Sequence, residues 1–405
     1  ALNARFTRNI GDEYRLHHWN GTFVTADDFA PKTTVLDGGK EAYFEPIGGR
    51  KSGTSGNWPY YNLDTGNEGI LVVVGWPGCW YTKYERDNDK GLHLTAGQKI
   101  AHFQLQPDET VRTPLIVLQF WKGGDWIDAQ NVWRQWMIKH NIPKNLPLPM
   151  FNACSSHQFA EMTKANEQNQ KEFIHSYLKK GLKIDYWWMD AGWYIGAAEK
   201  GWPWTGTWEV DRRPDRFPNG LRAISEYAHK KGVKTIVWFE PERVAGGTWL
   251  TTEHPEWVIG GAGGGLLNLG NPDAWNWVVN HFDKIITDEK IDLYRQDYNI
   301  DPFPFWQRND TENRQGITEI KYVMGYLGYW DELLRRHPGM LIDSCAGGGH
   351  RNDLETMRRS VPLLRSDYLF EPVGQQGHTY GLSFWLPFHG TGYSPSNAGG
   401  WGWGT

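Results

Sequence analysis

Five carboxylates close four short runs of apolar and aromatic residues. Asp190 follows Tyr186-Trp187-Trp188-Met189, Glu240 and Glu242 follow Ile236-Val237-Trp238-Phe239, Asp297 follows Leu293-Tyr294-Arg295-Gln296, and Asp367 follows Leu363-Leu364-Arg365-Ser366. A single carboxylate in such a place serves as readily as a helix N-cap or an ion-pair partner. Four ends together are different. If the runs are neighbouring parallel strands, the carboxylates point into one cup, and structural caps have no need to converge. Carboxylates without metal ligands suit acid-catalysed cleavage of an acetal, in which one attacks the anomeric carbon and another protonates the leaving oxygen. A pair about 5–5.5 Å apart retains configuration, and a pair about 6.5–9.5 Å apart inverts it. Residue spacing along a chain leaves those two outcomes open.

Composition favours a sugar as the partner. The 405 residues include 24 Trp, 18 Tyr, 17 Phe and 47 Gly. Trp and Tyr join a flat apolar face to a polar edge, which matches a sugar ring, although most of the Trp are expected to fill cores. The formal charge of −5 argues against a nucleic-acid partner, which selects a basic excess. No apolar run approaches the ~20 residues of a membrane span. Cys79, Cys154 and Cys345 make no disulfide framework and no zinc motif, and no metal or organic cofactor is expected. The chain opens Ala1-Leu2-Asn3-Ala4-Arg5-Phe6, without the charged and apolar segments of a secretion signal. A removed signal would read the same, so the compartment stays open, as does the oligomeric state.

Positioning the carboxylates requires a parallel sheet, and the pattern supplies one. Residues 1–124 read as an antiparallel β-sandwich, with short alternating runs separated by turn clusters such as Asp37-Gly38-Gly39 and Gly48-Gly49. A helix over 125–140 and three prolines up to Pro149 form a connection, 125–149. From 150 onward strands and helices alternate. Strands are expected at 150–154, 184–189, 234–239, 293–297, 340–345, 363–367 and 382–388, and helices at 167–180, 221–231, 274–290 and 318–336. Alternation of this kind over 150–405 predicts a (β/α)8 TIM-type barrel, with its active site at the strand C-termini. Only seven strands are found before the Gly400-Trp401-Gly402-Trp403 tail, so either one is misread or the chain stops before the barrel closes.

Several of these segments, taken in order, resemble the family 36 glycoside hydrolases, which include α-galactosidases and α-N-acetylgalactosaminidases. The matching motifs are Met189-Asp-Ala-Gly-Trp193, Pro218-Asn-Gly-Leu221, Lys234-Thr-Ile-Val-Trp-Phe-Glu-Pro-Glu242, Tyr294-Arg-Gln-Asp297, Asp343-Ser-Cys-Ala-Gly-Gly-Gly349 and Arg365-Ser-Asp367. The resemblance implies a sandwich before a barrel, and double displacement with overall retention. It implies Asp297 as nucleophile and Asp367 as acid/base, with Asp190, Trp193, Trp238, Arg295, Cys345, Gly347, Gly348 and Arg365 holding the sugar. Glu240 and Glu242 are expected to buttress the pocket or pair with arginines.

The chain departs from the family pattern where sugar is held. Ala191 replaces the second acidic residue of the first motif, Arg295 stands for a lysine, and Asn152-Ala-Cys-Ser-Ser156 replaces a Trp-containing first strand. These changes raise an α-N-acetylgalactosaminidase or α-galactosaminidase as an alternative to a plain α-galactosidase. A non-catalytic carbohydrate-binding protein and a transglycosylase are further readings. An oligosaccharide or glycoconjugate is the expected partner in each.

Overall fold

A computed structural model describes the chain except for residues 8–12, 47–56, 145, 147–149, 370–371 and 392–405. Turn cluster Gly48-Gly49, the prolines at 147 and 149, and the Trp401 and Trp403 tail lie outside the described residues. The chain divides into two compact units: Ala1–Pro143, Asp301–Met324 and Ser344–Tyr393 in one, and Lys144–Ile300, Gly325–Asp343 and Ser394–Thr405 in the other. The division does not follow the Pro149 boundary alone. Residues 301–324 and 344–393, assigned to the barrel from the strand–helix alternation, group with the N-terminal strands.

Among the described residues of the first unit, ten strands precede a helix. They are β1 (Leu2–Thr7), β2 (Tyr14–Trp19), β3 (Pro31–Leu36), β4 (Glu41–Phe44), β5 (Tyr60–Asp64), β6 (Glu68–Gly75), β7 (Trp80–Arg86), β8 (Gly91–Gln98), β9 (His102–Phe103) and β10 (Leu115–Lys122). Two antiparallel sheets form, ordered β1-β8-β7-β4 and β10-β6-β5-β2-β3. Strand β5 explains why they stack. Tyr61 turns to Phe44, Trp80 and Tyr84 of the facing sheet, and its neighbour Tyr60 turns the opposite way to Trp133 and Trp385. Successive side chains leave a strand on opposite faces, so one sheet carries two cores. That is also why β6 shows a continuous apolar run where β7 alternates. Val72 and Val74 are buried toward one side, while Leu71 and Val73 join the second core with Trp133, Met137, Leu354, Met357 and Trp385. The helix Trp126–His140 is started by an Asp125–Asp128 capping box, which satisfies donors its first turn would leave unpaired.

In the second unit, β11 (Asn152–Cys154), β12 (Tyr186–Met189), β13 (Lys234–Phe239), β17 (Leu293–Gln296) and β18 (Leu341–Ser344) lie side by side in that order, and the pairs from β11 to β17 are parallel. Between β13 and β17 a small antiparallel sheet is inserted: β14 (Arg243–Ala245), β15 (Val258–Ile259) and β16 (Gly264–Leu267). The run Gly260–Gly263 turns from β15 into β16. A Cβ on Gly264, at φ +87°, would stand 2.6 Å from the Val244 carbonyl. Helices Glu167–Lys179, Arg222–His229 and Pro272–Asp288 link the parallel strands, and Ile317–Arg336 precedes β18. In Pro272–Asp288 the buried residues Ala274, Val278, Phe282, Ile285 and Ile286 fall at helical spacing along one stripe, the pattern of a helix lying on a sheet.

Residues 363–367 and 382–388, expected as strands, are not strands. Leu363–Asp367 runs as bends, and Leu382 and Ser383 end the helix Pro372–Ser383. A short apolar run is buried equally well as strand, loop or helix end, and periodicity cannot separate them. No described helix is long and apolar enough to cross a membrane.

Candidate active site

The parallel strands carry their carboxylates at one edge, Asp297 among them. It lies one residue past β17, with its amide still donating to Phe239 O of β13 at 2.8 Å. Among the described residues, three donors meet its carboxylate. Tyr298 N donates to Oδ1 at 2.8 Å; Asn299 Nδ2 and Trp238 Nε1 donate to Oδ2 at 2.8 and 3.1 Å. Three donors on one carboxyl suit the ionised form, which accepts and cannot donate.

Asp190 ends β12 and accepts from Ala191 N at 2.7 Å. Burial pushes its carboxyl above the ordinary range, opposed by the Arg295 guanidinium and reinforced by the Asp297 charge. Arg295 is buried, lies 4.3 Å over the Trp188 ring and pairs with Asp343. Trp238 is buried. Trp193 is fully buried behind it, and its indole N–H donates to the Trp238 carbonyl at 2.9 Å. Glu240 and Glu242 are fully buried. Glu240 takes the Arg243 guanidinium and the Asn299 amide; Glu242 accepts from Gln296 Nε2 at 2.7 Å. Burial pushes the Glu240 carboxyl up to about 7, with Arg243 opposing and the Asp297 charge adding.

Asp367 belongs to the first unit, where its neighbours are pinned. Ser366 Oγ donates to Asp28 Oδ2 at 2.6 Å and accepts from Tyr368 N at 3.0 Å, so the residues on either side of Asp367 are tied together. Asp28 is buried and also takes Phe23 N, Thr25 N and the Thr22 hydroxyl. Arg365 is buried, donates to the carbonyls of Gly390 and Gln375, both at 2.6 Å, and has its guanidinium lowered to about 10 by burial. Cys345 is buried. Gly347 and Gly348 take φ of +55° and +78°, and a Cβ on Gly348 would stand 2.8 Å from Asp367 N. The absent side chain therefore lets the glycine loop lie directly on the Asp367 backbone.

The second unit thus gathers Asp190, Trp193, Trp238, Arg295 and Asp297, and the first gathers Cys345, Gly347, Gly348, Arg365 and Asp367. Asn299, Asp343, Asp28 and Ser366 were not singled out from the sequence. Asn299, two residues beyond Asp297, carried the one available signal: an amide side chain just past a strand-end carboxylate.

The family model described as Melibiase matches residues 128–395. The chain belongs to the Melibiase family. Among curated proteins it is similar to Alpha-galactosidase Mel36A of Lactobacillus acidophilus, 26% identical over 311 residues, covering 74% of this chain and 42% of that protein. It is equally similar to Alpha-galactosidase 1 of Pediococcus pentosaceus, 26% identical, covering 75% of this chain and 42% of that protein. The chain thus spans less than half the length of these relatives. Among solved structures it shares the fold of the GH36 α-galactosidase AgaA from Geobacillus stearothermophilus, with TM-score 0.82 and 20% identity over 97% of this chain and 55% of that one. An AgaA variant in complex with stachyose gives the same TM-score of 0.82.

Proposed function

We propose that this Melibiase-family protein is a retaining, exo-acting α-galactosidase whose parallel strands belong to a (β/α)8 barrel preceded by the sandwich. Asp297 attacks the anomeric carbon as the aglycone oxygen leaves, and Asp367 protonates that oxygen. Asp367 then removes a proton from water, which displaces Asp297 and releases the sugar with its configuration kept. The observation that carries this reading is the Asp297 carboxylate at the end of β17, held by three donors in a nucleophile's form. Asp190 accepts sugar hydroxyls, and Trp238 offers a wall to the ring. Trp193 acts through Trp238, and Arg295, tied to Asp343, lends positive charge near Asp190. Cys345, Gly347 and Gly348 border the sugar, and Arg365 braces the Asp367 segment. Relatives solved with raffinose and stachyose make α-galactosyl oligosaccharides the first substrates to try.

The test is Asp297→Asn assayed on p-nitrophenyl α-galactoside. Turnover should fall by at least about a thousandfold with the fold intact, as removal of a group acting as a unit with its partner does. Substantial residual activity would refute the assignment. Nuclear magnetic resonance of the first-formed anomer checks retention, and product analysis at high acceptor concentration separates hydrolysis from transfer.

A second reading, a 2-amino or 2-acetamido galactoside as substrate, is favoured by one observation. Ala191, where the family pattern has a second acid, is buried, has no polar side chain, and uses its N–H on Asp190 and its carbonyl on Met162 N. Comparing the plain galactoside with the galactosaminide and N-acetylgalactosaminide decides between them; preference for the plain sugar removes this reading.

A further inference from the structure

Two donors meet on Asp297 Oδ2, and both lead back to one arginine. Asn299 Nδ2 is 2.8 Å from that oxygen, and the Asn299 backbone N–H donates to Glu240 Oε1. The other oxygen of Glu240, Oε2, takes the Arg243 guanidinium. Trp238 Nε1 is 3.1 Å from the same Asp297 oxygen. Its ring meets the Trp202 ring edge-on at 6.2 Å and 89°, and Arg243 lies 4.7 Å over Trp202. Arg243 itself is fixed by the inserted sheet, as the first residue of β14 opposite Leu266, with Thr205 donating to its carbonyl at 2.6 Å.

We propose that Arg243 and Glu240 are positioning residues that orient the nucleophile, holding both side-chain donors on Asp297 Oδ2 through Asn299 and through Trp202–Trp238. The proposal rests on the reading of Asp297 as nucleophile. A fully buried Glu240 is held toward its charged form by Arg243 and by the Asn299 hydrogen bond, since an unpaired buried carboxylate takes up a proton instead. The groups facing Glu240 are Arg243, Asp297 and the Tyr194 hydroxyl, all within the second unit. Of these Arg243 alone favours the charged form. Once Glu240 is neutral it presses less on Asp297 and holds the Asn299 amide less strongly. The relay thereby links the nucleophile's orientation to a titration near neutral pH.

Glu240→Gln, Arg243→Lys and Arg243→Met test this. Each keeps a long side chain, and Glu240→Gln keeps the shape and one acceptor. Loss of one hydrogen bond to a charged group is worth about 10- to 100-fold in rate. We expect kcat to fall by that amount in Glu240→Gln and Arg243→Met with thermal midpoints near wild type, and less in Arg243→Lys. The wild-type kcat/KM profile should carry an inflection near pH 7, where Glu240 changes charge beside Asp297, and Glu240→Gln should lose it. A readout independent of turnover is the 13C-carboxyl titration of labelled Glu240. Its midpoint should fall from about 7 in Asp297→Asn and rise in Arg243→Met. A Glu240 midpoint unmoved in both variants, with a superimposable pH profile in Glu240→Gln, would overturn the relay. A wild-type protein that cleaves no α-galactoside would overturn the proposed function instead, and the Glu240 titration would still decide the relay.

Discussion

The proposed mechanism gives Asp297 and Asp367 different jobs, and their surroundings differ. Asp297 is met by three donors that stabilise a carboxylate. Asp367 has its backbone clamped by Ser366 and Tyr368 while its side chain remains partly exposed. A fixed anion suits attack, and a carboxyl with solvent access suits proton exchange. Replacing Asp367 with Ala should therefore spare the first step on p-nitrophenyl α-galactoside, whose leaving group needs little protonation. Hydrolysis of raffinose should fall by about a thousandfold or more, and azide, which needs no general base, should restore release of the trapped sugar. Equal losses on both substrates without azide rescue would contradict the acid/base role.

At the scale of elements, the strand-end carboxylates were legible because a parallel strand's length and its terminal residue are both local features. β12, β13, β17 and β18 fall inside their expected spans. What holds those carboxylates was not legible, since the partners come from far along the chain: Asp28 reaches Ser366 across 338 residues. The segment 363–367 misled for a related reason. Leu363 and Leu364 lie beside a buried Arg365 that spends itself on the carbonyls of Gly390 and Gln375, and no periodicity shows that such a run is irregular. Gly348 gives this segment a direct test. Gly348→Ala would drive a methyl to 2.8 Å from Asp367 N at a φ of +78°, so kcat should drop at least tenfold and the thermal midpoint should fall as well. Wild-type kcat would show that the glycine does not set the Asp367 backbone.

Glu319, near the start of the helix Ile317–Arg336, makes an element-scale prediction about pH. It is buried, accepts Trp76 Nε1 at 2.7 Å and Cys79 N at 2.8 Å, and is pushed by burial up to about 8. The folded chain thus keeps a proton that the unfolded chain loses near pH 4.5. The protonated group's contribution to stability is complete below pH 4.5 and is lost as pH rises toward 8. Glu319→Gln cannot ionise, so its stability relative to wild type should improve by roughly 4 kcal/mol between pH 5 and pH 9 in urea denaturation. A difference that is the same at both pH values would contradict the buried titration.

At the scale of the whole molecule, the tryptophan excess resolves into structure more than recognition. Among the described residues, twelve of the 24 are essentially buried, Trp133, Trp193 and Trp385 among them. In the first unit Trp133 donates to the Trp385 carbonyl at 3.1 Å, Trp19 meets Trp385 edge-on at 5.1 Å, and Tyr60 OH donates to Asn352 O at 3.0 Å. Residues 344–393 accordingly form one body with the N-terminal strands. A chain that starts at 144 would bare the apolar side of that segment. It should be insoluble or molten, with no activity recovered on refolding, as solubility and near-ultraviolet circular dichroism would report. A soluble, cooperatively folding product would mean that the segment is held from elsewhere.

The Asp28–Ser366 hydrogen bond also bears on how members of this family can be rebuilt. A sandwich that anchors the residue next to the proposed acid/base is not an appendage that can be exchanged like a cassette. Recombining the strand–helix portion of one family member with the N-terminal portion of another would inherit two halves of a latch. Chimaeras should therefore succeed or fail according to whether the Thr22–Asp28 turn and the Ser366 segment come from the same parent.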